Sequence, residues 1–292
     1  MKKFIITSDS SCDLTKSEVK KLGVKCAYLS YTIGDDIFYD DMQESHISGF
    51  YKKMRNGSVP KTSQIPPSEF RLFFEEAIEE KVPVLHISLS SALSGTIQSA
   101  KIAAQEVMDN HSDADIRIVD STIASAGLAM LIYEAVKYRD NGRSIEEAIA
   151  HINGIKENIN TYITTDDLTY MRRGGRVSTA GAVVSRMLSI SPMITLSHAG
   201  KLYVSNKVRG GSATIEKFCQ GVADSVVKPE AQTLYIVHAD AVDKAKEFGQ
   251  KLCDKIGFKN VKYMKFGTTI GAHGGPGTIS AFYFGKLRPI RL

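Results

Sequence analysis

Residues Val82–Ala104, VPVLHISLSSALSGTIQSAKIAA, form the stretch that decides the fold. It opens with a short apolar run, as expected of a strand buried in a parallel sheet. Serines, a glycine and a threonine follow from Ser90 to Thr96, and isoleucine and alanines then recur at helical spacing. The pattern predicts a strand that enters a helix through a turn rich in hydroxyl groups.

The predicted turn has the composition of an anion site. The first turn of a helix has unpaired backbone N–H groups and a partial positive charge, so hydroxyls placed there favour a carboxylate or a phosphate. We therefore expect the head group of an anionic ligand near Ser94. Serine is also a favoured N-cap residue, so a purely structural capping role for Ser94 is the alternative on this stretch alone.

The same order of strand, polar turn and helix occurs twice more in the N-terminal half. Residues 3–7 run into SDSSCDL at Ser8–Leu14, whose polar side chains are expected to cap a helix starting near Thr15. Ile116–Val119 runs into Asp-Ser-Thr before a helix that starts near Ser125. Three such alternations favour a parallel, doubly wound α/β sheet with its polar turns along one ligand-binding edge.

A proline-rich loop separates two helices before the central strand. It reads NGSVPKTSQIPP at Asn56–Pro67, and its prolines and glycine predict that it forms no regular element. Ser68 is expected to cap the helix that follows. Thr62 and Ser63 are the short polar side chains of the loop, which either face the same site as Ser94 or belong to a solvated connector.

The C-terminal half is patterned differently. A hairpin over Met193–Asn206 is followed by helices and strands that do not repeat the earlier alternation. This mixture predicts an α+β domain with a mostly antiparallel sheet. We expect an α/β domain over residues 1–155 and the α+β domain over residues 156–292, joined after a helix at Ser144–Glu157.

Composition excludes several classes of protein. The 292 residues carry a net charge of only +5 without a long Lys/Arg block, so we expect no nucleic-acid partner. The four cysteines and seven histidines show no metal-ligand spacing. The cysteines are far apart in the sequence, which indicates free thiols in a reducing compartment. No signal-peptide core and no apolar run of roughly 20 residues occurs. We therefore expect a soluble cytoplasmic protein without stable membrane insertion and without a metal.

Two further segments have unusual chemistry. LTYMRRGGRVS at Leu168–Ser178 predicts a cationic turn, which either grips a phosphate or an acidic partner or is simply exposed to solvent. GAHGGPG at Gly271–Gly277 predicts a glycine-rich turn in which the backbone can approach a ligand closely beside His273. A lone histidine in a loop is also compatible with no function at all.

Taken together, six segments resemble the successive signatures of the DegV family, in the family's order and over nearly the whole chain. They are SDSSCDL, KTSQIPP, SSALSGTIQSA, VDSTIASAGLA, LTYMRRGGRVS and GAHGGPG. The resemblance implies a bacterial protein that binds a long-chain fatty acid in the gap between its two domains. It further implies a non-catalytic subunit, without a cofactor, that presents the carboxylate to a separate kinase subunit. The acyl phosphate made there enters phospholipid synthesis.

The resemblance also assigns residues. Thr62, Ser94 and His273 are implied to hold the carboxylate through hydrogen bonds. The neighbouring Ser63 and Gly95 are implied to belong to the same site. Three arginines fall in a segment typical of the family and are implied contacts of the kinase or of phosphate; they are Arg172, Arg173 and Arg176.

The chain departs from the family pattern at two places. Gly274 follows the histidine where the family usually has threonine, which puts the local hydrogen bonding in doubt. Ser189 and Ser191 stand where the family often has asparagine and lysine, which puts the contact between the domains in doubt.

Two enzyme classes are the alternatives to a carrier. Ser94, Asp240 and His273 occur in the order of the α/β-hydrolase triad, which suggests a serine hydrolase acting on an acyl ester. However, the turn reads Ala-Leu-Ser-Gly-Thr and lacks both glycines of G-x-S-x-G. A phosphoryl-transfer enzyme using the arginine turn is the other alternative, but the sequence has no P-loop and no acidic cluster with magnesium-ligand spacing.

Overall fold

The computed structural model describes residues 3–177 and 190–290, which form two compact units. The strands of these residues are β1 (Ile5–Asp9), β2 (Val24–Ala27), β3 (Ser30–Ile33), β4 (Asp36–Tyr39), β5 (Lys61–Ser63), β6 (Val84–Ser88), β7 (Ile116–Asp120), β8 (Ile159–Thr164), β9 (Ile190–Leu196), β10 (Leu202–Arg209), β11 (Thr233–His238), β12 (Asn260–Lys265) and β13 (Ile279–Phe284). The α-helices are α1 (Lys16–Leu22), α2 (Glu44–Arg55), α3 (Pro67–Ile78), α4 (Thr96–Asn110), α5 (Ala126–Asp140), α6 (Ile145–Ile155), α7 (Thr169–Arg173), α8 (Gly211–Ser225), α9 (Val242–Ile256) and α10 (Thr268–Gly274).

The first unit lies within Met1–His46 and Thr62–Lys156 and contains a four-stranded parallel sheet of order β2-β1-β6-β7. Every residue of β1 and of β6 is buried, as expected for central strands covered on both faces. The predicted parallel α/β sheet is confirmed. The turns after β1, β6 and β7 therefore lie at one edge, where Ser90 N donates to Ile123 O at 2.9 Å.

Capping at the first turn differs from the prediction. Thr15 caps α1 in a capping box with Glu18, so the SDSSCDL side chains do not cap that helix. The carboxylate of Asp9 instead accepts hydrogen bonds from Ser11 N at 3.2 Å and from Leu89 N at 2.9 Å. Asp9 thus joins the end of β1 to the end of β6.

The proline-rich loop contains a regular element that the sequence did not predict. Lys61–Ser63 forms β5 in a three-stranded sheet of order β4-β3-β5. The prolines at 60, 66 and 67 flank this strand and leave its own N–H groups available for pairing. The following helix α3 begins at Pro67 and has Pro66 rather than Ser68 at its N-cap. Proline is tolerated at the first helical position because its missing N–H would have no partner within the helix there.

The second unit lies within Ile47–Lys61 and Glu157–Leu292 and contains a six-stranded sheet of order β10-β9-β8-β13-β11-β12. Its neighbours pair antiparallel except β11 and β12, which confirms the predicted mostly antiparallel sheet. The sequence analysis did not identify β8. Helices α8 and α9 contribute the aromatic core, in which Phe218 and Phe248 meet edge to face at 5.1 Å.

Residues 47–61 belong to the second unit, whereas a single boundary near residue 155 would assign them to the first. Side chains of α2 explain this. Tyr51 Oη donates to Phe266 O at 3.0 Å, and Arg55 Nε donates to Asp240 Oδ2 at 2.8 Å. These partners lie far along the chain, so local patterns do not reveal the pairing.

Two positions from the sequence analysis, Ser178 and Ser189, lie outside the described residues. Among residues 3–177 and 190–290, no helix has both the length and the apolar character needed to cross a membrane.

A fully buried histidine lies at the centre of the first unit. His86 of β6 bonds through Nδ1 to Thr7 Oγ1 at 3.0 Å and meets the rings of Phe70 and Phe74 edge on. Burial lowers its pKa from 6.5 to about 3, because an imidazolium is poorly solvated there. The folded protein therefore keeps His86 neutral.

We expect this burial to make the protein sensitive to mild acid. Above the unfolded pKa near 6.5, His86 is neutral in both states and costs no stability. As the pH falls from 6.5 toward the folded pKa, only the unfolded chain binds the proton, so the free energy of unfolding decreases by up to about 1.4 kcal/mol per pH unit. Urea unfolding between about pH 7 and pH 5 should show a flatter dependence in His86→Asn. The exposed His111→Asn is the control and should retain the wild-type slope. Equal slopes in wild type and His86→Asn would contradict the assignment.

Candidate functional site

Ser94 lies in the turn between β6 and α4. Its Oγ accepts a hydrogen bond from Thr96 N at 3.2 Å and lies 2.9 Å from the Thr96 hydroxyl. Gly95 occupies the N-cap position and offers no side-chain cap, so the Ser94 hydroxyl supports the helix start in its place. Ser94 remains half-exposed, which leaves its hydroxyl accessible to a ligand. The structural role and a binding role are therefore compatible.

The β5 segment lies directly against this turn. A Cβ added at Gly95 would lie 2.2 Å from Gln64 Oε1, and Gln64 Nε2 donates to Ser99 Oγ at 3.1 Å. This close approach brings the segment that contains Thr62 and Ser63 next to Ser94. Thr62 is half-buried and Ser63 is exposed. The sequence analysis did not identify Gln64, although it is part of the KTSQIPP segment.

In the second unit, His273 lies on a helix rather than in the predicted glycine-rich turn. Helix α10 reaches Gly274, and Gly275 N still donates to Gly271 O at 2.8 Å. The helix stops there because Gly275 has a positive φ of +79° and a proline follows. His273 therefore sits in the last turn of a short helix, which gives it a defined direction.

Glycines allow α7 to approach α10 closely. A Cβ at Gly174 would lie 2.1 Å from His273 Nδ1, and one at Gly275 would lie 2.2 Å from Tyr170 Cδ2. Only residues without a Cβ fit at these two places. The RRGG and HGGPG segments, which are about 100 residues apart in the sequence, thus interlock through their glycines.

The arginine segment is partly helical, whereas the sequence predicted a turn. Arg172 and Arg173 are exposed in the last turn of α7. Arg176 is half-buried, and its Nη1 donates to Gly174 O. Burial, and then the charge of Arg176, lower the pKa of His273 from 6.5 to about 4. Near neutral pH His273 is therefore an uncharged imidazole beside a guanidinium.

The structure thus brings the predicted site residues together in two sets. Thr62, Ser63, Ser94 and Gly95 form the set of the first unit, and the histidine with Arg176 forms that of the second. The binding of one ligand head group by both sets remains a prediction. Within residues 3–177 and 190–290, no group of three or more His, Cys, Asp or Glu side chains has the arrangement of a metal site.

The fold and these motifs define a class of two-unit α/β protein with a hydroxyl-rich strand edge. Residues 3–286 match the sequence profile of the DegV family, which is described as uncharacterised. The chain belongs to the DegV family. A DegV domain-containing protein of Clostridium perfringens is 36% identical over 290 residues, which cover 99% of each chain.

Solved structures agree with this assignment. A DegV lipid-binding protein from Thermotoga maritima has a TM-score of 0.86 and 29% identity, over 98% of this chain and 99% of that one. A second protein from Thermotoga maritima, described as revealing a fatty-acid-binding function, has a TM-score of 0.84 and 28% identity. That match covers 97% of this chain and 100% of the other.

We expect Gly174→Ala to disturb His273 specifically. The new methyl group cannot fit at 2.1 Å from Nδ1, so the imidazole must move, at a cost of about 1–3 kcal/mol. NMR titration of the histidine side chains should place the wild-type pKa of His273 at about 4. The variant should show a higher value, because the displaced ring gains solvent.

Gly211→Ala is the matched control, since a Cβ there meets nothing within 4 Å. This variant should melt at or slightly above the wild-type temperature, because alanine favours the helix. Unchanged His273 resonances in Gly174→Ala would contradict the close approach.

Proposed function

We propose that this protein binds a long-chain fatty acid and holds its carboxylate for phosphorylation by a separate kinase subunit. The observation that carries the proposal is the placement of the Thr62 segment against the Ser94 turn at the carboxyl edge of the parallel sheet. It occurs in a chain whose whole length is similar to proteins described as lipid-binding and fatty-acid-binding. No cofactor is part of the proposal.

The proposed site suits a carboxylate better than a neutral group. A buried carboxylate must be hydrogen-bonded, and hydroxyls from Thr62 and Ser94 supply donors beside the helix start of α4. His273 is uncharged near neutral pH and adds an N–H donor, while the Arg176 charge lies nearby. Several donors then stabilise the carboxylate without a direct ion pair, so the head group can still be released or modified.

The acyl chain supplies most of the affinity in this proposal. Each buried methylene contributes about 0.8 kcal/mol, or roughly 11 kcal/mol for fourteen of them before the costs of binding. The head-group contacts then orient the carboxylate and contribute the smaller part of the affinity. As in the family that the sequence resembles, the tail is proposed to lie between the two domains.

The proposal of a kinase partner is supported by the missing P-loop and by two exposed arginines. The sequence contains no P-loop, and we assign binding of the phosphoryl donor to the separate kinase subunit. Arg172 and Arg173 are exposed on α7 of the unit that carries His273. Guanidinium groups pair readily with acidic side chains and with phosphate, so these two are the proposed contact. The protein itself is then a non-catalytic, cytoplasmic presenting subunit.

The serine hydrolase alternative lacks comparable support. Ser94 lies in an Ala-Leu-Ser-Gly-Thr turn, without the two glycines that the nucleophile turn requires. Asp240, the acid which that mechanism would use, forms an ion pair with Arg55 at 2.8 Å.

We expect Ser94→Ala to weaken fatty-acid binding by roughly 10- to 100-fold, since a hydrogen bond to a charged group contributes about 1.5–3 kcal/mol. Displacement of a fluorescent fatty acid measures the affinity, and native mass spectrometry of the purified protein identifies any lipid that co-purifies. Ser91→Ala is the matched control, because Ser91 is an exposed serine of the same turn. Equal affinities in wild type and Ser94→Ala would remove Ser94 from the site.

The presenting role predicts a different phenotype for the arginines. Arg172→Ala combined with Arg173→Ala should lower acyl-phosphate formation by the kinase subunit from the same organism. Fatty-acid affinity should not change, since both side chains are exposed. Hydroxylamine trapping of the acyl phosphate measures the reaction. Lys207→Ala combined with Arg209→Ala removes two exposed cations elsewhere and is the charge-matched control. Acyl phosphate formed equally well without this protein would refute the presenting role and leave fatty-acid binding intact.

A further inference from the structure

Two buried hydroxyl groups meet the backbone carbonyl that follows His273. Thr278 Oγ1 donates to Gly274 O at 2.7 Å and lies 3.0 Å from Thr165 Oγ1. Thr165 Oγ1 also lies 3.4 Å from Gly274 O. Both threonines are at most 1% exposed, so solvent does not compete for these contacts. The three oxygens therefore form one buried cluster at the end of α10.

The carbonyl of Gly274 needs a partner from outside its own helix. The last carbonyls of a helix have no N–H partner within it, and α10 ends at Gly274. A buried carbonyl without a hydrogen bond is costly, and Gly274 is buried. The Thr278 hydroxyl supplies the bond, and Thr278 directly precedes β13. The end of α10 is thereby tied to the start of β13.

The same cluster is connected to the start of α7. Thr165 directly follows β8, and its Oγ1 accepts a hydrogen bond from Asp167 N at 3.3 Å. The Asp167 carboxylate accepts one from Thr169 N, at the first residue of α7, at 2.8 Å. At the other end of α7, Gly174 packs against the His273 ring. The hydroxyl cluster therefore connects both helices that meet at His273.

We propose that Thr278, supported by Thr165, is a positioning residue for His273. Its hydroxyl fixes the end of α10 and, through Thr165, the start of α7, so the imidazole keeps the orientation in which it donates to the ligand carboxylate. Thr278 acts through the backbone and touches no ligand. The inference rests on the proposed function, because this orientation affects binding only if His273 contacts the carboxylate.

Thr278→Val tests the role, because it removes the hydroxyl and keeps a branched side chain. The His273 resonances should move in NMR spectra of the histidine side chains, and the pKa of His273 should depart from about 4. Fatty-acid affinity, measured by displacement of a fluorescent fatty acid, should fall by roughly 3- to 10-fold, as expected from the loss of one hydrogen bond. Thr278→Ser keeps the hydroxyl and should restore both properties.

Thr161→Val is the matched control for a purely structural effect. Thr161 is as buried as Thr278 and lies on β8, but its hydroxyl lies 2.7 Å from Ser280 Oγ rather than at the end of α10. This variant also loses a buried hydrogen bond and should melt at a lower temperature than the wild type. Its His273 resonances and its fatty-acid affinity should stay at the wild-type values.

A second variant keeps the test decisive if Thr278→Val does not fold. Thr165→Val removes the outer hydroxyl and should also move the His273 resonances. The proposal is overturned if the His273 resonances stay in place, or if Thr278→Val and Thr161→Val bind the fatty acid equally well. If the wild-type protein binds no fatty acid, the proposed function fails instead, and the His273 spectra still decide whether Thr278 orients the ring.

Discussion

A buried carboxylate organises the functional edge of the first unit. Asp9 ends β1, and its oxygens accept hydrogen bonds from the turn that follows β1 and from Leu89 at the end of β6. Burial raises the pKa of Asp9, while its bonds to Ser11, Leu89 and Ser88 oppose that rise. Because an unpaired buried carboxylate is very costly, these bonds hold the two strand ends in one arrangement. The Ser94 turn lies on the chain segment that leaves this junction after β6.

In the second unit, close packing of glycines fixes the position of the candidate site histidine. His273 has a defined position because Gly174 allows the backbone of α7 to lie against the imidazole, and Gly275 accepts the Tyr170 ring in return. The same closeness puts Arg176 near enough to lower the histidine pKa. A neutral imidazole and a fixed cation are therefore produced by packing rather than by a dedicated ion pair. This separation of charge from hydrogen bonding is compatible with the proposed binding of a carboxylate.

Periodicity was sufficient for most helices and strands and failed where local signals conflict with pairing at a distance. The apolar runs of β6 and β7 and the helical stripe of α5 identify their elements without further information. In contrast, Lys61–Ser63 pairs with β3 although prolines surround it, and β8 has no local signal that separates it from the preceding helix. Among the candidate site residues, Ser94 and His273 are recognisable from their turns and from the family resemblance. Gln64 and the contact of Gly174 with His273 are not, since each depends on a partner far along the chain.

Local chemistry by itself determined that three strands end in hydroxyl-rich turns and that two glycine-rich segments carry a histidine and three arginines. These features depend on residue types within a few positions of one another, and such local patterns are sufficient to predict where a strand ends or a helix begins. Only the tertiary structure decided that residues 47–61 join the second unit and that the end of α7 packs against His273. The reason is that such contacts depend on which surfaces can approach without steric conflict, and that depends on the whole packed chain.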